Sequence, residues 1–175
     1  MRWFTRQRSE DPNFDDWDDV RAAYWAYIES IRDGLPADLQ RLTATDLHDA
    51  VLDTVEIDLI LRTAQIRFLS GDCATFIDCQ YEDADFGDSN LRNLRLAVEG
   101  RVPWRDSSGT IVEWRPFASV LHDEITVVAH RFQHAFLIDP LGDFAVSFRQ
   151  FRLTTESATE GRLPERRERY RVINQ

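Results

Sequence analysis

The sequence predicts an α+β fold, in which a mostly antiparallel, twisted sheet of about six strands carries an N-terminal amphipathic helix on one face. The sheet is predicted from alternating apolar residues, most clearly at Phe144, Val146 and Phe148 near the C-terminus. The helix is predicted from an apolar stripe near the N-terminus. With 175 residues, of which 43% are hydrophobic, the chain is long and apolar enough for one domain with a buried core.

The N-terminal helix is predicted to follow a short edge strand at residues 1–6. Asp11 is expected to cap this helix, and Pro12 suits its first turn. Gly34 is expected to end it, and Pro36 to begin a short second helix. Its apolar side chains recur at spacings of three and four and therefore share one stripe: Trp17, Val20, Tyr24, Tyr27, Ile28 and Ile31.

The central part of the chain is predicted to form strands. Alternating apolar residues indicate a strand over residues 47–61, with a bulge or turn near residues 62–65. A hairpin turn at Ser70-Gly71-Asp72 leads into a returning strand at residues 74–81. The acidic stretch that follows, residues 82–88, is interpreted as a solvated loop because it does not match a calcium-binding loop.

Residues 91–98 alternate again and predict a further strand, followed by a loop at residues 103–109 and a short strand at residues 111–114. Residues 120–153 are interpreted as three strands. The last two are joined by a turn in which Pro140 fixes a negative φ and Gly142 can adopt a positive one.

Beyond residue 153 the composition becomes polar and rich in arginine. The chain is therefore divided into a single α+β domain, residues 1–153, and a C-terminal tail, residues 154–175. The tail is expected to be either disordered or a short helix folded onto the acidic body of the protein.

The formal net charge of −10 predicts that the protein repels nucleic acid and anionic membranes and attracts basic proteins. No apolar segment approaches the roughly 20 residues of a membrane helix, and the N-terminus lacks the apolar core of a signal peptide. A cytoplasmic protein is therefore expected. Cys73 and Cys79 lack the spacing of a metal or redox motif and are expected to be free thiols.

The acidic residues are concentrated in the N-terminal third, where fourteen acids between residues 10 and 58 face only three arginines. Such a face either solubilises the protein or binds a basic partner. Trp25, beside the apolar stripe, is either an interface anchor or a residue at the edge of the core. We expect a non-catalytic binding protein, an immunity or adaptor protein that sequesters a basic protein such as a toxin. The predicted partner-binding residues are Asp15, Asp16, Asp18, Asp19 and Trp25.

The alternative is a small metal-dependent hydrolase that uses His48, Asp49, His122 and Asp123 at the starts of two strands. Adjacent residues of a strand point to opposite faces, so neither aspartate is expected to orient the histidine beside it. His130 and His134 would lie roughly 13 Å apart on one strand, too far for one metal ion. No nucleophile elbow, phosphate-binding loop or dinucleotide motif occurs, so no catalytic residue, metal or cofactor is expected. A third possibility is self-association through a sheet edge.

Four short segments resemble a family of uncharacterised bacterial proteins, a domain of unknown function. The matching segments are Met1-Arg2-Trp3-Phe4-Thr5-Arg6, Leu47-His48-Asp49, Leu121-His122-Asp123-Glu124-Ile125 and Phe132-Gln133-His134. Trp3 and His122 stand where the family pattern has tyrosine. The family has no known activity, so the resemblance implies no catalytic residue. The small acidic α+β layout is also similar to that of immunity proteins of bacterial toxin systems.

Overall fold

A computed structural model describes residues 1–11, 14–87, 89–100, 102–105, 108, 111–115, 118–165 and 168–173 of the chain. Its helices are α1 (Arg6–Glu10), α2 (Trp17–Ile31), α3 (Ala37–Thr43) and α4 (Leu91–Glu99), with a 3₁₀ turn at Arg32–Gly34. Its strands are β1 (Val51–Asp58), β2 (Thr63–Leu69), β3 (Thr75–Glu82), β4 (Val102–Arg105), β5 (Ile111–Arg115), β6 (Ser119–Val128), β7 (Arg131–Asp139), β8 (Gly142–Phe148), β9 (Gln150–Ser157) and β10 (Tyr170–Ile173).

The predicted α+β class with a mainly antiparallel sheet is confirmed, but the main sheet has eight strands rather than about six. Its strand order is β8-β7-β6-β1-β2-β3-β9, and β10 pairs in parallel with β1. Strands β4 and β5 form a separate hairpin. Within the described ranges, no helix is both long and apolar enough to cross a lipid bilayer.

The main sheet folds over onto itself. Strands β8 and β9 lie at opposite ends of the strand order, yet only Arg149 separates them in sequence. The two ends of the sheet must therefore approach each other, and side chains from its two halves meet in the core. The rings of Tyr81 and Phe148 are 5.1 Å apart, and those of Phe68 and Phe136 are 5.5 Å apart.

Helix α2 also covers an edge of strand β6, a contact that the sequence did not predict. Strand β1 pairs with β6 only at Val51 and Ser119, so most of that edge lacks a neighbouring strand. The Tyr24 hydroxyl accepts a hydrogen bond from the Ile125 N–H, as does Tyr27 from Val127, both at 2.9 Å. These bonds satisfy edge groups that would otherwise be open to another strand. The predicted stripe is confirmed, since Val20, Tyr24 and Ile28 are buried while Trp17, Tyr27 and Ile31 pack partly buried against the core.

The predicted edge strand at residues 1–6 is wrong. The buried carboxylate of Glu124 accepts hydrogen bonds from the backbone N–H groups of Arg2, Trp3 and Phe4, which fixes the N-terminus without a strand ladder. Helix α1 then begins after Thr5.

The start of the long helix also differs from the prediction. Helix α2 begins at Trp17, and Asp11 ends α1 instead of capping α2. Pro12, expected in the first turn, lies outside the described residues. Helix α2 ends at Ile31, and Gly34 ends the 3₁₀ turn that follows, so the predicted stop at Gly34 lies three residues beyond the α-helix. The second helix after Pro36 is confirmed.

The strand predicted over residues 47–61 is shorter at both ends. Asp49 has a φ of 59°, which places residues 47–50 in a turn. The strand ends at Asp58, whose carboxylate accepts the N–H groups of Ile60 and Leu61 and orders the turn into β2. The returning strand after residues 70–72 is confirmed as β3.

Residues 91–98 form helix α4, not the predicted strand. The buried residues Leu94, Ala97 and Val98 are spaced three and four apart, a pattern that also suits a helix. Asn90 caps the helix by accepting the Asn93 N–H, and Gly100 ends it at a φ of 69°. The capping residues at both ends, Asn90 and Gly100, favour the helix over the strand. Strand β4 also replaces part of the loop predicted at 103–109.

The C-terminal part has four strands where three were predicted for residues 120–153. Strands β6 and β7 are joined by a two-residue turn, Ala129-His130, in which both φ angles are positive. Gly142 has a φ of 100°, as expected for the next turn.

Part of the predicted tail belongs to the sheet. Strand β9 extends to Ser157, and β10 pairs with β1 from Tyr170 to Ile173. At Tyr170–Ile173 the tail is therefore a strand, neither disordered nor helical as predicted. Its residues pair with β1, and sequence composition does not reveal such a distant pairing.

Candidate functional site

The four aspartates predicted to bind a partner lie at the N-terminal end of α2 with exposed side chains. Asp18 forms an ion pair with Arg21, with Oδ1 and Nη1 3.1 Å apart. In the described part of the chain, no arginine forms an ion pair with Asp15, Asp16 or Asp19. These three carboxylates therefore leave a negative charge on the solvent side of the helix. We call Asp15, Asp16, Asp18 and Asp19 the acidic strip.

A cleft of about 460 Å³ adjoins α2, a volume within the range of small-ligand sites. Trp25, the predicted anchor, lines this cleft and is 46% exposed, so its ring is neither a core residue nor fully solvated. The charged, imidazole and aromatic side chains of the lining are Phe4, Arg21, Tyr24, Trp25, Asp46, His48, His122 and Asp123.

The structure brings His48 and His122 together in the cleft, with ring centroids 5.9 Å apart. His122 also stacks on Phe4 at 4.7 Å and contacts Trp17 at 5.0 Å. Burial, together with the nearby His48 and Arg21, lowers the pKa of His122 to about 4. His122 is therefore a neutral imidazole near pH 7.

His48 lies in the turn before β1, where the Asp46 carboxylate accepts its backbone N–H at 2.9 Å. Its ring Nδ1 lies 2.6 Å from the Leu121 carbonyl oxygen, and it must donate because the oxygen can only accept. Nε2 of His48 lies 3.7 Å from Asp49 Oδ2. The two side chains approach each other because a turn does not impose the alternation of a strand, but this distance is longer than a hydrogen bond, so Asp49 does not fix the His48 ring.

A chain of buried polar groups leads away from the cleft. Oδ2 of Asp123 lies 3.1 Å from Nε2 of His134, and Nδ1 of His134 lies 2.9 Å from the Tyr81 hydroxyl. A single neutral tautomer satisfies both contacts: Nε2–H donates to Asp123, and Nδ1 accepts from Tyr81. Burial raises the pKa values of both Tyr81 and the adjacent Cys79 thiol, which keeps them protonated.

His134 was not among the predicted site residues, although the sequence contains a signal for it. It lies between Phe132 and Phe136 in an alternating strand, and a histidine among apolar residues needs buried partners. Its partner Asp123 is the diagonal neighbour on β6, because Ile125 is directly opposite His134. His122 instead contacts the rings of Phe4 and Trp17. His122 and Asp123 therefore have different partners, as predicted for adjacent strand residues.

The residues of the alternative hydrolase site have other partners. The Asp123 carboxylate is held by His134, and Nδ1 of His48 is held by the main chain. Across the described ranges, no group of three or more His, Cys, Asp or Glu side chains is arranged to hold a metal ion. His130 lies exposed in the β6–β7 turn rather than on a strand with His134, so the spacing estimate for that pair rested on a wrong assignment.

The acidic loop at residues 82–88 is more than a solvated loop. Asp83 forms ion pairs with Arg62, Arg131 and Arg149 at 2.9, 2.6 and 3.2 Å. The hydrogen bond from Arg131, with the charges of all three arginines, lowers the pKa of this carboxyl group. Asp83 therefore connects the turn before β2, strand β7 and the residue between β8 and β9.

No protein-family model and no curated protein match the chain. Among solved structures, it is similar to the crystal structure of an uncharacterized protein from Neisseria gonorrhoeae, with 12% sequence identity and a TM-score of 0.34. The similarity covers 62% of this chain and 92% of that chain. A similarity at this level carries no argument about function, and the family resemblance of the four short segments stays a prediction.

Proposed function

We propose that the protein is a non-catalytic binding protein whose acidic strip and adjoining cleft bind a basic segment of another protein. One observation carries this proposal: exposed carboxylates that have no arginine partner among the described residues lie at the N-terminal end of the helix that carries a half-exposed tryptophan, and this tryptophan lines a cleft. Charge on the strip accelerates encounter with a basic partner, and an aromatic anchor beside it slows dissociation.

The distribution of arginine supports this proposal. On two helices an exposed acid has an arginine partner within one turn, as Glu29 has Arg32 and Glu99 has Arg95, at 2.6 and 2.8 Å. Among the described residues, Asp15, Asp16 and Asp19 have no arginine partner, so their charge is open to a basic protein. An immunity or adaptor protein that neutralises a basic protein, such as a toxin, is the biological role that fits this surface. The product of the neighbouring gene is the first partner to test.

The test uses a hexalysine peptide as a probe of charge alone, with association rates measured at low and high salt. We expect the rate for the unaltered protein to fall as salt rises, because steering is screened. The variant with both Asp15→Arg and Asp19→Arg should associate about tenfold more slowly at low salt.

A matched control carries Asp143→Arg and Glu165→Arg, which make the same change in net charge at exposed positions outside the acidic strip. This control should slow association much less. If both double variants slow association equally, only the net charge matters and the acidic strip is a solubilising surface.

A further inference from the structure

The cleft beside α2 contains the chemistry to hold one particular side chain of the partner. We propose that it receives an arginine guanidinium group, which stacks on Trp25 and donates hydrogen bonds to Asp46 and Asp123. This inference rests on the proposed function and specifies which basic residue of the partner is recognised.

The charge of the cleft favours a cation. The described charged residues of the lining are two carboxylates, Asp46 and Asp123, and one arginine, Arg21, whose guanidinium group is paired with Asp18. Burial keeps His122 neutral near pH 7, so this imidazole does not offset them.

Each of these two carboxylates has one oxygen available for a ligand. Asp46 uses Oδ1 to accept the His48 N–H, and Asp123 uses Oδ2 to accept from His134. Among the residues that the structure describes, neither Oδ2 of Asp46 nor Oδ1 of Asp123 has a hydrogen-bond partner. His134 is fully buried, and its bond fixes an Asp123 side chain that is 21% exposed.

The aromatic lining distinguishes arginine from lysine. The cleft contains the rings of Phe4, Tyr24 and Trp25, and the last two lie 5.7 Å apart. A planar guanidinium group stacks on an aromatic face and still donates several N–H groups at its edge. A lysine ammonium group is strongly hydrated and lacks this flat surface.

The experiment compares fluorescently labelled hexaarginine and hexalysine peptides, which carry equal charge, by anisotropy titration. We expect the unaltered protein to bind hexaarginine about tenfold more tightly, which corresponds to about 1.4 kcal/mol. Trp25→Ala and Asp46→Asn should each reduce this preference to about threefold or less. Asn at position 46 can still accept the His48 N–H, so the turn is retained.

Asp33→Asn is the matched control, because it removes one exposed carboxylate outside the cleft. It should lower the affinity for both peptides equally and leave the preference for hexaarginine unchanged. Equal affinities for the two peptides, or a preference that persists in both cleft variants, would overturn the arginine assignment alone. If neither peptide binds, the proposed function itself fails.

Discussion

Two groups of acids in this protein have opposite environments. Beneath the C-terminal strand, Asp53 is fully buried and pairs with Arg169 at 2.7 Å and with Arg67 at 3.5 Å. Arg67 also pairs with Asp78 at 2.7 Å. At the N-terminal end of α2, the acidic strip is exposed, and among the described residues only Asp18 of the strip has an arginine partner. A carboxylate that is buried against arginines has a structural role, whereas an exposed carboxylate without such a partner is available for binding.

The physical reason is the cost of desolvation. A buried carboxylate without a counter-charge is strongly disfavoured, so Asp53 can be buried only because arginines accompany it. An exposed carboxylate has no such requirement, because water solvates it. Four predictions, from the largest expected effect to the smallest, test how buried polar contacts and exposed acids differ in their contribution to stability.

Removing the buried partner should have the largest effect. Arg169→Ala removes the guanidinium group 2.7 Å from the buried Asp53 carboxylate, and we expect the free energy of unfolding to fall by about 3 kcal/mol in urea denaturation. Arg171→Ala is the control two residues further along the chain, because Arg171 forms an exposed pair with Glu56 at 3.7 Å. That control should cost less than about 1 kcal/mol. Similar losses in both variants would show that burial of the Asp53 pair is not the stabilising feature.

The attachment of α2 should be next in size. Tyr24→Phe removes the acceptor of the buried Ile125 N–H, and we expect a loss of about 2 kcal/mol in the same assay. Tyr27→Phe removes a similar bond to Val127, but that bond is exposed and water can replace it. An unchanged stability in Tyr24→Phe would mean that α2 is held by apolar contacts alone.

A pH dependence is predicted for the cleft. The pKa of His122 is about 4 in the folded protein and 6.5 for a histidine in the unfolded chain. Between these two pH values, only the unfolded chain binds a proton at His122. Stability is therefore lost as pH falls from about 6.5 through about 4. The contribution of His122 is about 1 kcal/mol once screening by solvent is allowed for.

His122→Phe checks this dependence, because phenylalanine keeps an aromatic ring between Phe4 and Trp17 but does not titrate. Unfolding measured at pH 7 and pH 4 should show a smaller loss of stability in the variant than in the unaltered protein. An identical loss in both proteins would contradict the assignment of the shift to His122.

The smallest effect is expected on the acidic strip. Asp15→Asn should change the free energy of unfolding by less than about 0.5 kcal/mol, because the side chain is exposed and forms no ion pair with any described residue. The same substitution at the buried position, Asp53→Asn, should cost about 3 kcal/mol because it leaves arginines without their carboxylate. Equal effects of the two substitutions would remove the distinction between the two groups of acids.

Sequence reasoning succeeded where the pattern was local. The stripe on α2, the helix after Pro36 and the turn at Gly142 follow from spacing and backbone preferences, and all three are confirmed. Sequence patterns failed at residues 91–98, where alternating and helical spacings coincide. They also failed at the N-terminus, where the carboxylate of Glu124, 120 residues from Phe4, binds the backbone N–H groups that a neighbouring strand was expected to bind. Contacts across such distances leave no local pattern.

By itself, the sequence determined the α+β class, the helical stripe of α2 and the concentration of acids in the N-terminal third, since these depend on residue type and short spacing. Only the tertiary structure decided which acids are paired. It brought Arg169 to Asp53, three arginines to Asp83, and His48 and His122 into one cleft. These pairings depend on how the sheet folds over itself, because residues far apart in the chain become neighbours only when the strands are in register.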